Sequence, residues 1–386
     1  MTVNQVYALL NDTFEQVTGQ DALATLDLEG MVSMREAVFA AGSDKFLNTL
    51  VDRIAKTVIR TLKFRTTFPR LLMEEYEFGC IIAKINVDPM PAQSQGAWDV
   101  GADDFVPTNF KIDKPSVHVG YFRNSDAFEI DVTITDVMFK SAFQSAEEMG
   151  AFITAIFDSM ETSFEMHLED MTRLAICGFI AEKCHEGNGV VDLLSWYNET
   201  ATTPIYSADK ALQTKDFLLF AGKTMRDFVK YIAKPSVLYN MGGHVRSTPS
   251  EDLNIMVLSE FASACATYLE SSTYHDEMVK LPGYMETEYW QATGNTLPTF
   301  YNCSSLSVEL PSDGTSVTQH GVVAVFADRE AIFTGLFDKF SAVDRNNRNR
   351  YSNHTLGATV QTCIDPAGEN GIIFTLVDQT PPEPGN

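Results

Sequence analysis

Cys177, Cys184 and His185 are the closest approach in this sequence to a nucleophilic or metal-binding cluster. A thiol must be driven to thiolate before it attacks, and a structural zinc site needs four ligands. On a continuous helix Cys177 and Cys184 share a face while His185 lies about 100° away, and no CxxC or His-x3-His completes a set. The simpler reading is two core thiols and a helix-end histidine beside the terminal carbonyls. A cytoplasmic hydrolase using Cys184 with a distant histidine stays open as a remote alternative, and it requires thiolate-like reactivity at Cys184.

The other candidates carry less. His118 stands between Val117 and Val119 on a strand-like run, and His244 follows Gly242-Gly243 in a turn-like one. Neither has a GxSxG or comparable nucleophile motif nearby, so structural roles are expected. With 52 Asp and Glu, pairs such as Glu74/Glu75, Glu147/Glu148 and Glu169/Asp170 arise by chance and do not mark acid–base chemistry. There is no GxxxxGK[ST] and no GxGxxG, and Gly242-Gly243 lacks the strand–glycine–helix context that cradles phosphate. No catalytic residue, cofactor or metal is expected. Arg345, Arg348 and Arg350 form the most basic short cluster of an acidic chain, with few aromatics to stack bases. They read as a solvated turn or as a partner for an acidic surface on a neighbouring copy.

The elements that position these residues follow from periodicity. Apolar residues at three- and four-residue steps predict a short helix over 4–18 and a second over 43–62, where Ser43 can cap. From 71 to 87 the pattern becomes strand-like, and Pro89, Pro91, Gly96, Gly101 and Pro107 then break regular structure. Pairing resumes near Ser116, and Phe128, Ile130, Val132 and Ile134 alternate with polar residues as on a half-buried strand. This predicts a long two-stranded excursion with a tip between 88 and 114.

Ser145-Ala-Glu-Glu148 is a capping box opening the longest helical pattern, with Met160, Phe164, Leu168, Met171, Leu174 and Ala175 on its stripe. It runs to about Lys183, a rod of about 55 Å at 1.5 Å per residue, before Gly187 and Gly189 can stop it. Thr214 can cap the next helix, which ends before Pro235. Apolar runs at 236–239, 253–258 and 321–326, with a helix at 259–270, predict a mixed α+β domain, and strands near 356–364 and 371–377 close the fold. The last residues, QTPPEPGN, are expected to be a disordered tail.

Composition bounds the function. The 386 residues, 45% hydrophobic and 21% charged, can build one large core or two moderate ones, which rules out whole-chain disorder. A formal charge of -24 repels phosphate and argues against a dedicated nucleic-acid reader. Six irregularly spaced cysteines fit a reducing compartment, and neither an export signal nor an apolar membrane span is legible.

The order of elements, arm, short helix, long β excursion, long capped helix, α+β domain, basic turn and closing strands, resembles the HK-97-like major capsid protein of tailed bacteriophages. The stretches FLNTLVDRIAKTVIR (46–60), KPSVHVGYFRNSDAFEIDVTITDVMFKSAFQSAEEMGAFITAIFDSM (114–160) and ADREAIFTGLFDKFSAVDRNNRNRYSNHTLGATV (327–360) look most like capsid proteins of short-tailed phi-29-like phages. The resemblance covers most of 1–377. It implies an α+β fold with an N-terminal arm (1–42), a helix opening the P-domain (43–70), an E-loop and its strands (71–135) and a spine-helix region (136–204). An A-domain (205–340), the P-loop with closing P-domain strands (341–377) and the tail (378–386) follow.

The resemblance further implies a non-enzymatic shell protein that assembles with itself as pentamers and hexamers of an icosahedral capsid around double-stranded DNA. DNA contact would be weak and non-specific, the acidic lining holding the genome without trapping it. A separate scaffolding protein and a portal protein are implied partners, with assembly in the host bacterial cytoplasm and no membrane. The immunoglobulin-like C-terminal domain and the fused scaffolding segment of some relatives are expected to be absent. Arg345, Arg348 and Arg350 are expected at a junction of subunits. A nanocompartment shell of the same fold, enclosing an enzyme, is the second reading.

Overall fold

The computed structural model describes residues 13–17, 67–73, 82–90, 92, 114–122, 125–135, 137, 146–270, 283–291, 297–310, 314–346 and 348–381. Of the early helix expected at 4–18, residues 13–17 are helical with Phe14 and Val17 buried. The helix expected at 43–62 and most of the excursion's tip lie outside the described residues.

In chain order the elements are β1 (Leu72–Met73), β2 (Ile82–Val87), β3 (Val117–Phe122), β4 (Ser125–Thr135), α1 (Ala146–Glu186), β5 (Val190–Asp192), α2 (Leu193–Thr200), α3 (Ala208–Leu212) and α4 (Lys215–Ile232). There follow β6 (Leu253–Leu258), α5 (Ser259–Glu270), β7 (Met285–Thr287), α6 (Phe300–Cys303), β8 (Leu306–Glu309), β9 (Ser316–Gln319), β10 (Val322–Asp328), β11 (Ile332–Asn346), β12 (Tyr351–Ile364) and β13 (Gly371–Thr375). They fall into two compact units, the first made of Met1–Cys80, Ser125–Met171 and Thr334–Gln361, the second of Ile81–Asn124, Thr172–Phe333 and Thr362–Asn386.

The first unit holds a four-stranded sheet in the order β1-β11-β12-β4. β12 and β4 pair antiparallel from Tyr351↔Thr135 to Gln361↔Ser125, so β4 belongs to this sheet and not to a hairpin with the 82–87 run. Its alternation is the one the sequence predicts: Phe128 and Ile134 are buried while Glu129, Asp131 and Thr133 face water. Phe128 meets Phe164 of α1 with ring centroids 5.4 Å apart. Opposite Val132 sits His354, 1% exposed, with neither ring nitrogen hydrogen-bonded. Burial pushes its pKa down to about 4.

The second unit is built on a five-stranded sheet in the order β5-β13-β10-β6-β7. β6 (LNIMVL) and β13 (GIIFT) are buried at every position, as near-continuous apolar runs must be when both faces of a sheet are covered. α4 lays Phe217, Leu218, Ala221, Met225, Phe228 and Ile232 inward, and Phe228 meets Phe374 of β13 edge-on at 5.5 Å. Thr214 does stand at the start of α4, but its hydroxyl donates to the Lys210 carbonyl at 2.8 Å and caps no α4 amide. The apolar run at 236–239 forms no strand; Ser236 makes a single bridge to Arg246.

α1 is longer than its periodicity suggests, reaching Glu186. Gly187 and Gly189 then take φ of 65° and 69°, a left-handed conformation that suits glycine, and the Asn188 amide donates to the Lys183 carbonyl at 3.1 Å. Leu174, placed on the apolar stripe by spacing alone, is 58% exposed. Buried residues from Thr172 to Lys183 instead occupy several faces of the helix. Lys183 is among them: its Nζ donates to Asn188 Oδ1 at 2.9 Å and to the Tyr239 carbonyl at 2.6 Å, and burial lowers its pKa to about 7. The start of the expected tail is anchored, since the Gln379 amide donates to the Tyr206 carbonyl at 2.9 Å and Asp378 Oδ1 accepts from the Ala208 amide at 2.6 Å.

Candidate functional site

The strand-like stretch from 71 to 87 divides. β1 pairs with β11, whereas β2 turns to β3 in a two-stranded ribbon registered from Ile82↔Phe122 to Val87↔Val117. Successive side chains on a strand point to opposite faces, and here the two faces differ in kind. Ile85, Val87, Val117, Val119 and Tyr121 share one face and are 45–67% exposed. Lys84, Asn86 and His118 occupy the other, turned toward the second unit's own body.

That inner face is held by charge. Lys84 Nζ lies 3.0 Å from Asp365 Oδ2, 3.0 Å from Glu369 Oε1 and 3.0 Å from the Glu330 carbonyl, matching its three protons to three acceptors. Its side chain is 8% exposed. Burial opposes the charge, but the two carboxylates outweigh it and raise the Lys84 pKa above its ordinary value. Asn86 Nδ2 adds a hydrogen bond to Glu369 Oε1 at 3.3 Å.

Where the ribbon ends, Asp88, His118, His244 and Arg246 converge. Asp88 Oδ2 lies 2.9 Å from His118 Nε2 and 3.7 Å from His244 Nδ1, and its Oδ1 is 3.9 Å from an Arg246 guanidinium nitrogen. The two imidazoles sit with ring centroids 4.0 Å apart, and Ser116 Oγ shares a hydrogen bond of 3.0 Å with His118 Nε2. Burial alone would raise the Asp88 pKa, yet the hydrogen bond from His118 and the positive groups around it lower it.

His244 is delivered by a tight loop. Asn240 Oδ1 accepts from the His244 amide at 2.8 Å while Asn240 Nδ2 donates to the His244 carbonyl at 2.7 Å. Gly243 has φ of 67°, and a Cβ on Gly242 would stand 2.6 Å from both His244 Nε2 and the Ala367 carbonyl oxygen. The Gly-Gly pair thus serves this ring and not a phosphate. The histidines are 126 positions apart in sequence, each without a motif around it, so nothing local marks them as neighbours.

The arginines stay together. Arg345 is near the end of β11, and Arg348 and Arg350 occupy the turn that leads into β12. Asn346 Oδ1 accepts from the Arg348 and Asn349 amides at 3.1 and 3.0 Å, an Asx turn, and Arg350 takes a left-handed φ of 54°. Arg348 and Arg350 are exposed and form no ion pair within the described residues.

Among the described residues the cysteines are not assembled into a site. Cys177 is buried with its thiol donating to the Trp290 carbonyl at 3.3 Å, and burial raises its pKa to about 12. Cys184 is pushed up to about 12 by the same cause, the reverse of the thiolate that a hydrolase would need. The Cys184 hydrolase reading is therefore set aside. Among the described residues no helix is long and apolar enough to cross a membrane.

Comparison with known proteins places this arrangement. Two solved structures have a similar fold: the capsid of Staphylococcus phage Andhra, 10% identical with a TM-score of 0.53 over 82% of this chain and 85% of that one, and a structure of the head fiber and inner core protein gp22 of native bacteriophage P68, also 10% identical at 0.53, over 80% and 84%. They support an HK-97-like α+β capsid fold. No curated protein matches the chain. The model of the Phi29-like phage major capsid protein family matches residues 10–375, nearly the whole length. The chain belongs to that family, and it is a structural, shell-forming protein of the phage virion that assembles with copies of itself.

Proposed function

We propose that copies of this chain tile an icosahedral shell as pentamers and hexamers around double-stranded phage DNA, with the β2–β3 ribbon of the expected 71–135 excursion reaching over an adjacent subunit. The observation that carries this reading is the ribbon's outer face, where Ile85, Val87, Val117, Val119 and Tyr121 are exposed side by side while the inner face is tied down by Lys84 and His118. Apolar surface gathered on one face of an anchored ribbon marks a contact surface, and burying it on a neighbour supplies association energy that no polar rim provides. The α1 region serves as the spine, and Arg345, Arg348 and Arg350 meet acidic surface at a junction of subunits. A charge of -24 per copy favours weak, non-specific contact with the enclosed genome. Assembly in the host cytoplasm uses a separate scaffolding protein, and a portal protein occupies one vertex.

The test is particle size by light scattering and negative-stain microscopy, on the chain expressed alone and together with its genomic neighbours. Closed shells tens of nanometres across are expected in at least one condition, and Ile85→Asp with Val119→Asp abolishes them while leaving a folded subunit. A monodisperse species near 43 kDa under both conditions refutes the shell reading. DNA with a portal inside the particle distinguishes a virion shell from a nanocompartment, whose cargo is an enzyme.

A further inference from the structure

Asp88, His118 and His244 offer one carboxylate oxygen and two imidazole nitrogens within 4.8 Å of one another, and among the described residues no other group of ligating side chains comes together in this way. We propose that these three residues bind a divalent transition-metal ion, zinc by its ligand chemistry, which staples the β2–β3 ribbon to the 240–246 loop. The proposal does not depend on what the ribbon touches outside the subunit.

The donor geometry is the first argument. Around a tetrahedral zinc with bonds of about 2.0–2.1 Å, ligand atoms lie roughly 3.3 Å apart. His118 Nε2 and His244 Nδ1 are 2.9 and 3.7 Å from Asp88 Oδ2, on either side of that spacing. Small side-chain rotations therefore close the set, leaving a fourth position for water. Two imidazoles with one carboxylate suit zinc and its first-row neighbours, and they disfavour magnesium and calcium, which take oxygen ligands.

The second argument is support around the ligands. His244 is clasped by Asn240 through two hydrogen bonds, and Asn240 itself is 1% exposed. Gly242 leaves room for the His244 ring where any Cβ would collide with it. Asp88 Oδ1 and one Arg246 guanidinium nitrogen are both buried without a hydrogen-bond partner, although the carboxylate and guanidinium lie within 3.9 Å. An ion drawn to Oδ2 reorients the carboxylate, so that the orphaned Oδ1 can accept from Arg246 Nη1, now 3.9 Å away, the outer-shell pairing that metal-bound carboxylates use. Arg246 also places a positive charge nearby, which weakens cation affinity and keeps the site from competing with a full zinc-finger ligand set.

The experiment titrates the metal-stripped full chain with zinc in competition with a fluorescent chelator, and with cobalt(II) for its visible absorption. One ion per chain is expected, with the four-coordinate nitrogen–oxygen spectrum of cobalt. Affinity falls at least tenfold in His118→Gln, His244→Gln and Asp88→Asn, and is unchanged in His185→Gln, which alters an exposed histidine elsewhere. Binding only at millimolar zinc, or binding undiminished in the three variants, overturns the proposal and leaves a hydrogen-bonded latch. If a variant fails to fold by circular dichroism, proton NMR of the cobalt-loaded wild type decides: paramagnetically shifted imidazole signals from two histidines support the site, and their absence refutes it.

Discussion

His354→Leu tests how this fold handles a buried, unpartnered ionisable group. The imidazole is 1% exposed, has no hydrogen-bond partner on either nitrogen, and titrates at about 4 instead of 6.5 because burial disfavours its charged form. A histidine whose folded pKa is depressed takes up a proton on unfolding between those two values, so stability falls as pH drops from about 6.5 toward 4. Integrating the linkage gives a loss of about 0.8 kcal/mol by pH 6, about 2 kcal/mol by pH 5 and about 3 kcal/mol by pH 4.

Leucine has similar bulk and no polar atoms, so at neutral pH it removes two unsatisfied nitrogens and is expected to stabilise by about 1 kcal/mol. The assay is urea unfolding of the unassembled full chain, wild type and variant, followed by tryptophan fluorescence across the acid range. The difference between the two must widen as pH falls, because other carboxylates and histidines titrate equally in both. Parallel curves would refute the assignment and mean that His354 finds a partner or water in solution. A variant less stable than wild type at every pH would show that the ring's shape matters more than its unmet polarity.

Lys183 has the same logic at higher pH: with its pKa lowered from 10.5 to about 7, the unfolded chain holds the extra proton and wild-type stability rises by about 2 kcal/mol from pH 7 to pH 9. Lys183→Met abolishes that rise in denaturation curves and leaves the Tyr239 carbonyl satisfied by the Gly371 amide at 2.8 Å. Lys84, whose pKa is raised, contributes stability present below about pH 10.5 and lost above it, and Lys84→Met strands Asp365 and Glu369, destabilising by about 3 kcal/mol in the same assay. Gly242→Ala forces a Cβ to within 2.6 Å of the His244 ring and the Ala367 carbonyl, costing about 1–3 kcal/mol and shifting the His244 resonances in NMR. Charge reversal at Arg348 and Arg350 lowers shell yield in microscopy while the subunit stays folded; undiminished assembly removes these arginines from the junction.

Much of the architecture was legible because it rests on local chemistry. The alternation of 128–134, the glycines ending α1, the run of apolar residues in β6 and the helix after it all express periods or turn preferences carried by neighbouring residues. Predictions failed where a competing partner or the surrounding packing decided the outcome, whether the competitor was local or distant. Thr214 stands at the predicted helix start but gives its hydroxyl to Lys210, and Leu174 fits the stripe but is exposed in the second unit. Ser236–Tyr239 is apolar enough for a strand, yet it finds one bridge instead of a ladder.

The sequence by itself determined the element order, the acidic surface and the absence of a recognisable catalytic motif, all properties of composition and of residues within a few turns of each other. Which strand pairs with which was decided only in three dimensions: β4 joins β12 and the 82–87 run joins β3, because register depends on partners more than 200 positions away in one case and 30–40 in the other. The same holds for Asp88, His118 and His244. Each alone is an ordinary residue in a strand end or a turn, and only the folding of the ribbon against the 240–246 loop brings their ligating atoms within reach of a single ion.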